Sequence, residues 1–193
     1  MSQHLSYLFL KWQAIALLLF NRREAALRCF AAMLALRPDD RYALASRAHV
    51  FAQQGRMKEA LAAQEQLVRE GHAPLAADWF NLGYLLEESG QPERAEQALR
   101  RALELDPKMD RAWYGLALVL IQARRYDEAV AALKKNTELQ PMSPFGWYQL
   151  ARVHVDRHEP EEAAKIIRHL HGFEPKVAAQ LERETGLRVS PSA

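Results

Sequence analysis

The sequence predicts an all-α fold: an α-solenoid of about five stacked helix–turn–helix hairpins, closed by a short C-terminal capping helix. Three observations predict it. Trp79, Trp113 and Trp147 stand 34 residues apart, as do Ala95, Ala129 and Ala163, and Pro107, Pro141 and Pro175. Three residue types locked to one period, each at its own offset, mark an array of copies of one small unit. Within each period, apolar residues recur at helical spacing in two runs separated by a turn. Finally, 49% of the 193 residues are hydrophobic while only 8 are Gly and 9 are Pro, which supplies a core and excludes a loop-rich, collagenous or disordered chain.

The unit is clearest over residues 76–109. Trp79, Leu82, Gly83 and Leu86 fall at i, i+3, i+4 and i+7, one face of a helix. Ser89-Gly90 stops that helix, because Gly enters the left-handed region at a helix end without steric cost. Pro92 suits the first turn of the next helix, along which Ala95, Leu99 and Ala102 repeat the spacing. Asp106-Pro107 ends it, since proline disfavours helical geometry in the residue before it.

These residues resemble the tetratricopeptide repeat, whose pattern of an aromatic at position 4, Leu at 7, small residues at 8, 20 and 27, large apolar residues at 11 and 24 and Pro at 32 is met by Trp79, Leu82, Gly83, Leu86, Ala95, Leu99, Ala102 and Pro107. Residues 110–143 supply Trp113, Leu116, Ala117, Leu120, Ala129, Leu133 and Pro141, with Asn136 at position 27. Residues 144–177 supply Trp147, Leu150, Ala151, Ala163, Ile167 and Pro175, with His154 at position 11. Weaker copies cover 7–40 (Ala14, Leu17, Ala26, Phe30, Pro38) and 41–75 (Ala48, Phe51, Gly55, Ala60); the second departs at Arg47 and Gln64 and carries one extra residue. The first two copies have Leu10 and Leu44 in place of the tryptophan. The resemblance implies a right-handed array, expected as one domain over residues 1–177, with a cap and tail over 178–193. Lys176–Thr185 is the expected cap helix, Val177 and Leu181 lie on one side of it, Gly186 stops it, and Val189–Ala193 is expected as a loose tail. The tryptophans are expected to be core residues, costing ~3–5 kcal/mol each on truncation to Ala if fully packed.

The resemblance also implies where function lies. In this family positions 2, 5, 9 and 12 of each first helix line a concave groove and bind rather than catalyse. On this chain they are Leu8, Lys11, Ile15 and Leu18; Tyr42, Ala45, His49 and Ala52; Ala77, Phe80, Tyr84 and Glu87; Arg111, Tyr114, Leu118 and Ile121; and Phe145, Tyr148, Arg152 and Val155. Six of the twenty are aromatic, and Tyr and Arg combine apolar area with hydrogen-bonding capacity at binding hot spots. The expected contacts are Lys11, Trp12, Tyr42, His49, Phe80, Tyr84, Arg111, Tyr114, Leu118, Phe145, Tyr148 and Arg152, with Phe80, Tyr84, Tyr114 and Tyr148 at the centre. The expected partner is an extended segment or helix of another protein. The Lys and Asn clamp by which one subclass holds chaperone C-termini is missing from positions 5 and 9, so a co-chaperone of that type is disfavoured.

Residues 5–20, LSYLFLKWQAIALLLF, are apolar except for Ser6, Lys11 and Gln13, whereas the end unit of an array usually has a polar outer face. Three readings compete: a surface for self-association or partner docking, a signal or membrane anchor, and burial by Met1–His4 and the adjacent hairpin. The anchor is the less favoured, because the stretch is shorter than the ~20 residues a span needs and has Lys11 at its middle. Trp12 lies off the tryptophan register and is the one tryptophan expected to contact a partner.

Catalytic and cofactor readings are weak. His154 and His158 are spaced i, i+4, with His169, His171, Asp156, Glu159, Glu161 and Glu162 nearby, but His154 sits at a packing position and His158 in a turn. No phosphate loop, cysteine pair or nucleophile motif occurs; Cys29 is the single cysteine and lies in an apolar helical stretch. Twenty-six basic and 24 acidic residues leave a net charge of +2, and the groove positions are aliphatic and aromatic, so nucleic acid is not an expected partner. The resulting expectation is a non-enzymatic, cytoplasmic scaffold or adaptor without metal or cofactor. An envelope-associated assembly factor, held through residues 5–20, is the alternative.

Overall fold

The computed structural model describes residues 3–69 and 73–189. Those residues form eleven helices: α1 (Gln3–Leu19), α2 (Arg23–Leu36), α3 (Arg41–Gln53), α4 (Met57–Leu67), α5 (Ala76–Glu88), α6 (Pro92–Leu105), α7 (Asp110–Gln122), α8 (Tyr126–Leu139), α9 (Pro144–Asp156), α10 (Pro160–His171) and α11 (Pro175–Thr185). The chain divides into two compact units, Met1–Arg94 and Ala95–Ala193, with the boundary inside α6.

One turn, made five times, joins the two helices of each pair. The residue at position 15 takes a left-handed conformation in every copy: Asn21 (φ 55°), Gly55 (71°), Gly90 (70°), Arg124 (57°) and His158 (59°). The amide at position 16 then donates to the carbonyl at position 11: Arg22 to Leu17, Arg56 to Phe51, Gln91 to Leu86, Arg125 to Leu120 and Glu159 to His154, at 2.8–2.9 Å. The amide at 15 donates to the carbonyl at 12, as in Gly90 to Glu87 at 2.9 Å. This double closure is the Schellman arrangement, which satisfies carbonyls a helix end otherwise leaves open.

Burial follows the register. Position 20 is Ala26, Ala60, Ala95, Ala129 and Ala163, all at 0% exposure, and position 8 (Ala14, Ala48, Gly83, Ala117, Ala151) is buried in every copy. Small side chains at these points let paired helices approach closely, and Phe30, Leu99, Leu133 and Ile167 at position 24 fill the space beside them. The departures from the pattern are each accommodated. Buried Gln64 donates its Nε2 to the Asp78 carbonyl at 2.8 Å. Arg47 lays its guanidinium over the Phe51 ring, 5.5 Å from its centroid. The extra residue of the second copy lies in the stretch between α4 and α5, where Arg41 reaches the Ala73 carbonyl at 2.6 Å and pairs with buried Asp78, which also accepts the Leu75 amide at 2.7 Å.

Asn136 is accommodated by a second substitution. Its Nδ2 donates to the Asp110 carbonyl at 2.9 Å, and its side chain occupies the space where a Cβ at Gly146 would stand. A polar residue at a packing position is thus paired with a glycine in the next copy.

One detail at the C-terminus differs from expectation. The cap helix α11 begins at Pro175 and buries Ala178 and Leu181; Val177, one turn before Leu181, is half-buried. Gly186 (φ 73°) ends it as expected. Val189 is not loose: it is buried, and its amide donates to Glu182 at 2.9 Å. The rest of the expected tail, 190–193, lies outside the described residues.

A non-glycine residue held in the left-handed region carries a steric cost of roughly 1–2 kcal/mol, partly offset by the greater unfolded-state freedom of Gly. Arg124→Gly and His158→Gly are therefore each expected to stabilise the chain by about 0.5–1 kcal/mol in urea denaturation. Gly146→Ala is expected to destabilise it by roughly 1–2 kcal/mol, because the new methyl displaces Asn136 from its hydrogen bond. In an Asn136→Ala background the same change should cost less, since only the Thr137 methyl, 3.1 Å from the new Cβ, must still give way.

Candidate functional site

The face expected to bind is built by the same register that builds the core. With positions 8 and 11 turned inward, positions 2, 5, 9 and 12 fall on another side of each first helix. None of the twenty residues at those positions is buried. Phe145 is 68% exposed and Tyr84 53%, while Tyr42, Phe80, Tyr114 and Tyr148 are half-buried.

In the first unit, α1 and α3 bring Lys11 and Tyr42 together: the Lys11 ammonium lies 4.5 Å from the Tyr42 ring centroid. Tyr42 also meets Phe30 edge to face, with centroids 6.1 Å apart, so its ring is fixed from beneath while the other face carries the cation. His49 is exposed and hydrogen-bonded to Gln53 at 2.8 Å. Phe80 and Tyr84 lie one turn apart on α5, where they present a short aromatic edge. Trp12 is 68% exposed on α1.

In the second unit, α7 carries exposed Arg111 and half-buried Tyr114 and Leu118, and α9 carries Phe145, Tyr148 and Arg152. Tyr148 donates its hydroxyl to Glu184 of α11 at 2.6 Å, and Arg152 donates to the same hydroxyl at 3.3 Å. The Arg152 guanidinium also lies 3.9 Å from the Glu184 carboxylate. The Tyr148 hydroxyl holds the Glu184 carboxyl below the usual range and helps hold Arg152 protonated. Tyr148 and Arg152 thus both engage the Glu184 carboxylate. Sequence reasoning missed Glu184, because α11 stands outside the five copies and no repeat position flags it.

The periodic tryptophans differ from expectation. Trp79, Trp113 and Trp147 are half-buried rather than fully packed. Trp113 donates its indole N–H to the Pro107 carbonyl at 2.9 Å, and Trp147 does the same to Pro141 at 2.9 Å. An indole must keep its N–H within reach of an acceptor, and here that acceptor is the turn from the copy before, so the ring stays at the rim of the core. A truncation would cost less than the ~3–5 kcal/mol of a fully packed ring.

The histidine cluster is taken up by packing. His154 is buried with Nδ1 2.7 Å from Glu159, His169 meets Trp147 at a tilt and Phe173 edge-on, and His171 meets Glu182 at 3.3 Å. Among the described residues no group of three or more His, Cys, Asp or Glu side chains could hold a metal ion. Cys29 is buried, and burial pushes its thiol up from the usual range.

The fold class is the all-α helical-repeat solenoid. YrrB, a tetratricopeptide repeat protein with an unusual peptide-binding site, superposes with a TM-score of 0.76 at 23% identity over 88% of both chains. MamA of Desulfovibrio magneticus RS-1 gives 0.77 at 20% identity, covering 93% of this chain and 96% of its own. A tetratricopeptide repeat protein of Parabacteroides merdae ATCC 43184 gives 0.79 at 22% identity, covering 94% of this chain and 74% of its own. No curated protein matches the chain in sequence. The sequence profile of the tetratricopeptide repeat matches residues 13–78 and 80–144, more than half of the chain, and the chain belongs to that family. The fold is in general a scaffold for protein–protein interaction, and proteins of this family are generally non-enzymatic. Among the described residues no helix is long and apolar enough to cross a membrane.

Proposed function

We propose that this chain is a non-enzymatic adaptor that holds an extended segment or a helix of a partner protein on the outward faces of its first helices. The observation that carries the reading is the separation of roles within each helix: positions 8 and 11 pack, while six aromatics at positions 2, 5 and 9 stay half-buried or exposed. Aromatic area fixed by packing on one side and open on the other binds at low entropic cost. The resemblance to YrrB, a protein with a peptide-binding site, points the same way. The Tyr148–Arg152 pair adds a preference for a segment bearing a carboxylate, which would replace Glu184. The proposed setting is the cytoplasm.

A second reading, an envelope-associated assembly factor attached through residues 5–20, draws on the exposed apolar side chains of α1. Fractionation distinguishes the two: full recovery in the soluble fraction at low salt without detergent excludes attachment.

Affinity capture with the intact chain, set against the Tyr84→Ala/Tyr114→Ala double variant, tests the adaptor reading. The double variant is expected to lose partner recovery at least tenfold while its melting temperature stays close to that of the natural chain. Identical partners at equal yield would overturn the groove assignment.

A further inference from the structure

Successive copies are not all joined in the same way. In the second unit the joint uses a tryptophan: Trp113 and Trp147 each donate the indole N–H to the carbonyl six residues earlier, at Pro107 and Pro141, which ties a first helix to the turn before it. The first two copies carry Leu10 and Leu44 at that position and have no such donor. In the first unit a side chain at position 1 reaches the start of the next first helix instead. Tyr7 donates its hydroxyl to Asp40, the N-cap residue of α3, at 2.8 Å. Arg41 pairs with Asp78, in the first turn of α5. Position 1 of the later copies is Ala76, Asp110 and Pro144, whose side chains have no proton to donate in this way at neutral pH.

The joint between α3 and α5 also has to absorb the extra residue of the second copy. Ala73 stands six residues before Trp79, where Pro107 and Pro141 stand before their tryptophans, and its carbonyl accepts from Arg41 Nη2 at 2.6 Å. The other arm of the guanidinium, Nη1, donates to Asp78 Oδ2. The same Oδ2 accepts the Leu75 amide at 2.7 Å. One guanidinium therefore holds both the linker and the helix that it leads into, from the first residue of the neighbouring first helix. A planar fork with a donor on each arm fixes the direction of both acceptors. The Asp78 side chain is 8% exposed and that of Arg41 38%, so this pair is less open to solvent screening than two exposed partners would be.

The clamp lies beside the candidate contact residues. Arg41 directly precedes Tyr42, and His49 follows on the same helix. Asp78 stands two residues before Phe80, with Tyr84 one turn further along α5. Tyr42 is held by Phe30 of α2 and Lys11 of α1, and both of those contacts look back toward the first copy. Arg41 is the side chain that looks forward, to α5.

We propose that Arg41 is the positioning residue of the candidate binding face of the first unit: its guanidinium sets α5 against α3, and so sets Phe80 and Tyr84 against Tyr42 and His49. The meaning of that face rests on the adaptor reading, but the test involves no partner, so either can fail while the other stands. Arg41→Ala alone is expected to melt at a lower temperature, because it leaves the buried Asp78 carboxylate without its counter-ion. Arg41→Ala/Asp78→Asn removes that charge and keeps an acceptor for the Leu75 amide, so it is expected to recover most of the lost melting temperature without recovering the clamp. Nitroxide labels on His49→Cys and Tyr84→Cys, both exposed positions in a chain whose own Cys29 is buried, report the spacing of α3 and α5 by electron paramagnetic resonance. Their distance distribution is expected to widen about twofold in the Arg41→Ala/Asp78→Asn chain, as a joint loosened locally should. A label pair on Arg111→Cys and Phe145→Cys, within the second unit, is expected to keep its width. In the natural chain the Leu75 amide is expected to exchange at least about tenfold more slowly than exposed loop amides, since it is bonded to the clamped carboxylate. An unchanged His49–Tyr84 distribution in the double variant, equal widening of both label pairs, or a Leu75 amide that exchanges as fast as exposed loops would overturn the proposal.

Discussion

Each hairpin depends on the closure of its turn, where the amide at position 16 meets the carbonyl at position 11 around a left-handed residue at 15. A helix ends with open carbonyls, and this closure satisfies two of them while sending the chain back along its own side. The same closure recurs in all five copies. Positions 8 and 20 are buried in every copy, and each is Ala or Gly. Once those contacts are set, the outward direction of positions 2, 5, 9 and 12 follows without further specification. The proposed binding face thus follows from the helical register that the turn sets. Its residues vary in chemistry because they pack on one side only.

Where the pattern is broken, the structure repairs it with a local partner rather than by changing the turn. Asn136 is matched by Gly146, Gln64 by the Asp78 carbonyl, and the extra residue before α5 by Arg41. The same position 16 that closes the turn also carries Arg56 and Arg125, which reach Glu59 and Glu128 within the copy and Glu24 and Glu96 on the second helix of the copy before. Such exposed pairs add little stability individually, but they repeat with the register and favour it over slipped alternatives.

Much of this was legible in the sequence, because period and spacing report on backbone geometry. The five hairpins, the turn glycines at 55 and 90, the small residues at 8 and 20 and the cap helix all follow from patterns of size and polarity. Other features depend on pairs that are distant in sequence. The half-burial of the tryptophans depends on a carbonyl in the preceding turn, and the tolerance of Asn136 on a glycine ten residues later. Left-handed geometry at Arg124 and His158 could be inferred only by aligning them with Gly55 and Gly90. At the candidate site, the aromatics were found by register, but Glu184, which engages Tyr148 and Arg152, belongs to no copy and left no periodic signal. The apolar excess of α1 was visible in the sequence, but not which of its side chains, Phe9, Trp12, Leu19 and Phe20, stay exposed.

The account stands or falls on the turn, because every assignment of packing and binding faces is counted from it. Amide hydrogen exchange by nuclear magnetic resonance measures it residue by residue. The amides of Arg22, Arg56, Gln91, Arg125 and Glu159 should be protected to the degree of helix-interior amides although each precedes or opens a helix, since each is bonded to a carbonyl at 2.8–2.9 Å. If those five exchange as fast as the amides of exposed loops, the closure does not persist in solution, and the faces counted from it are wrongly assigned.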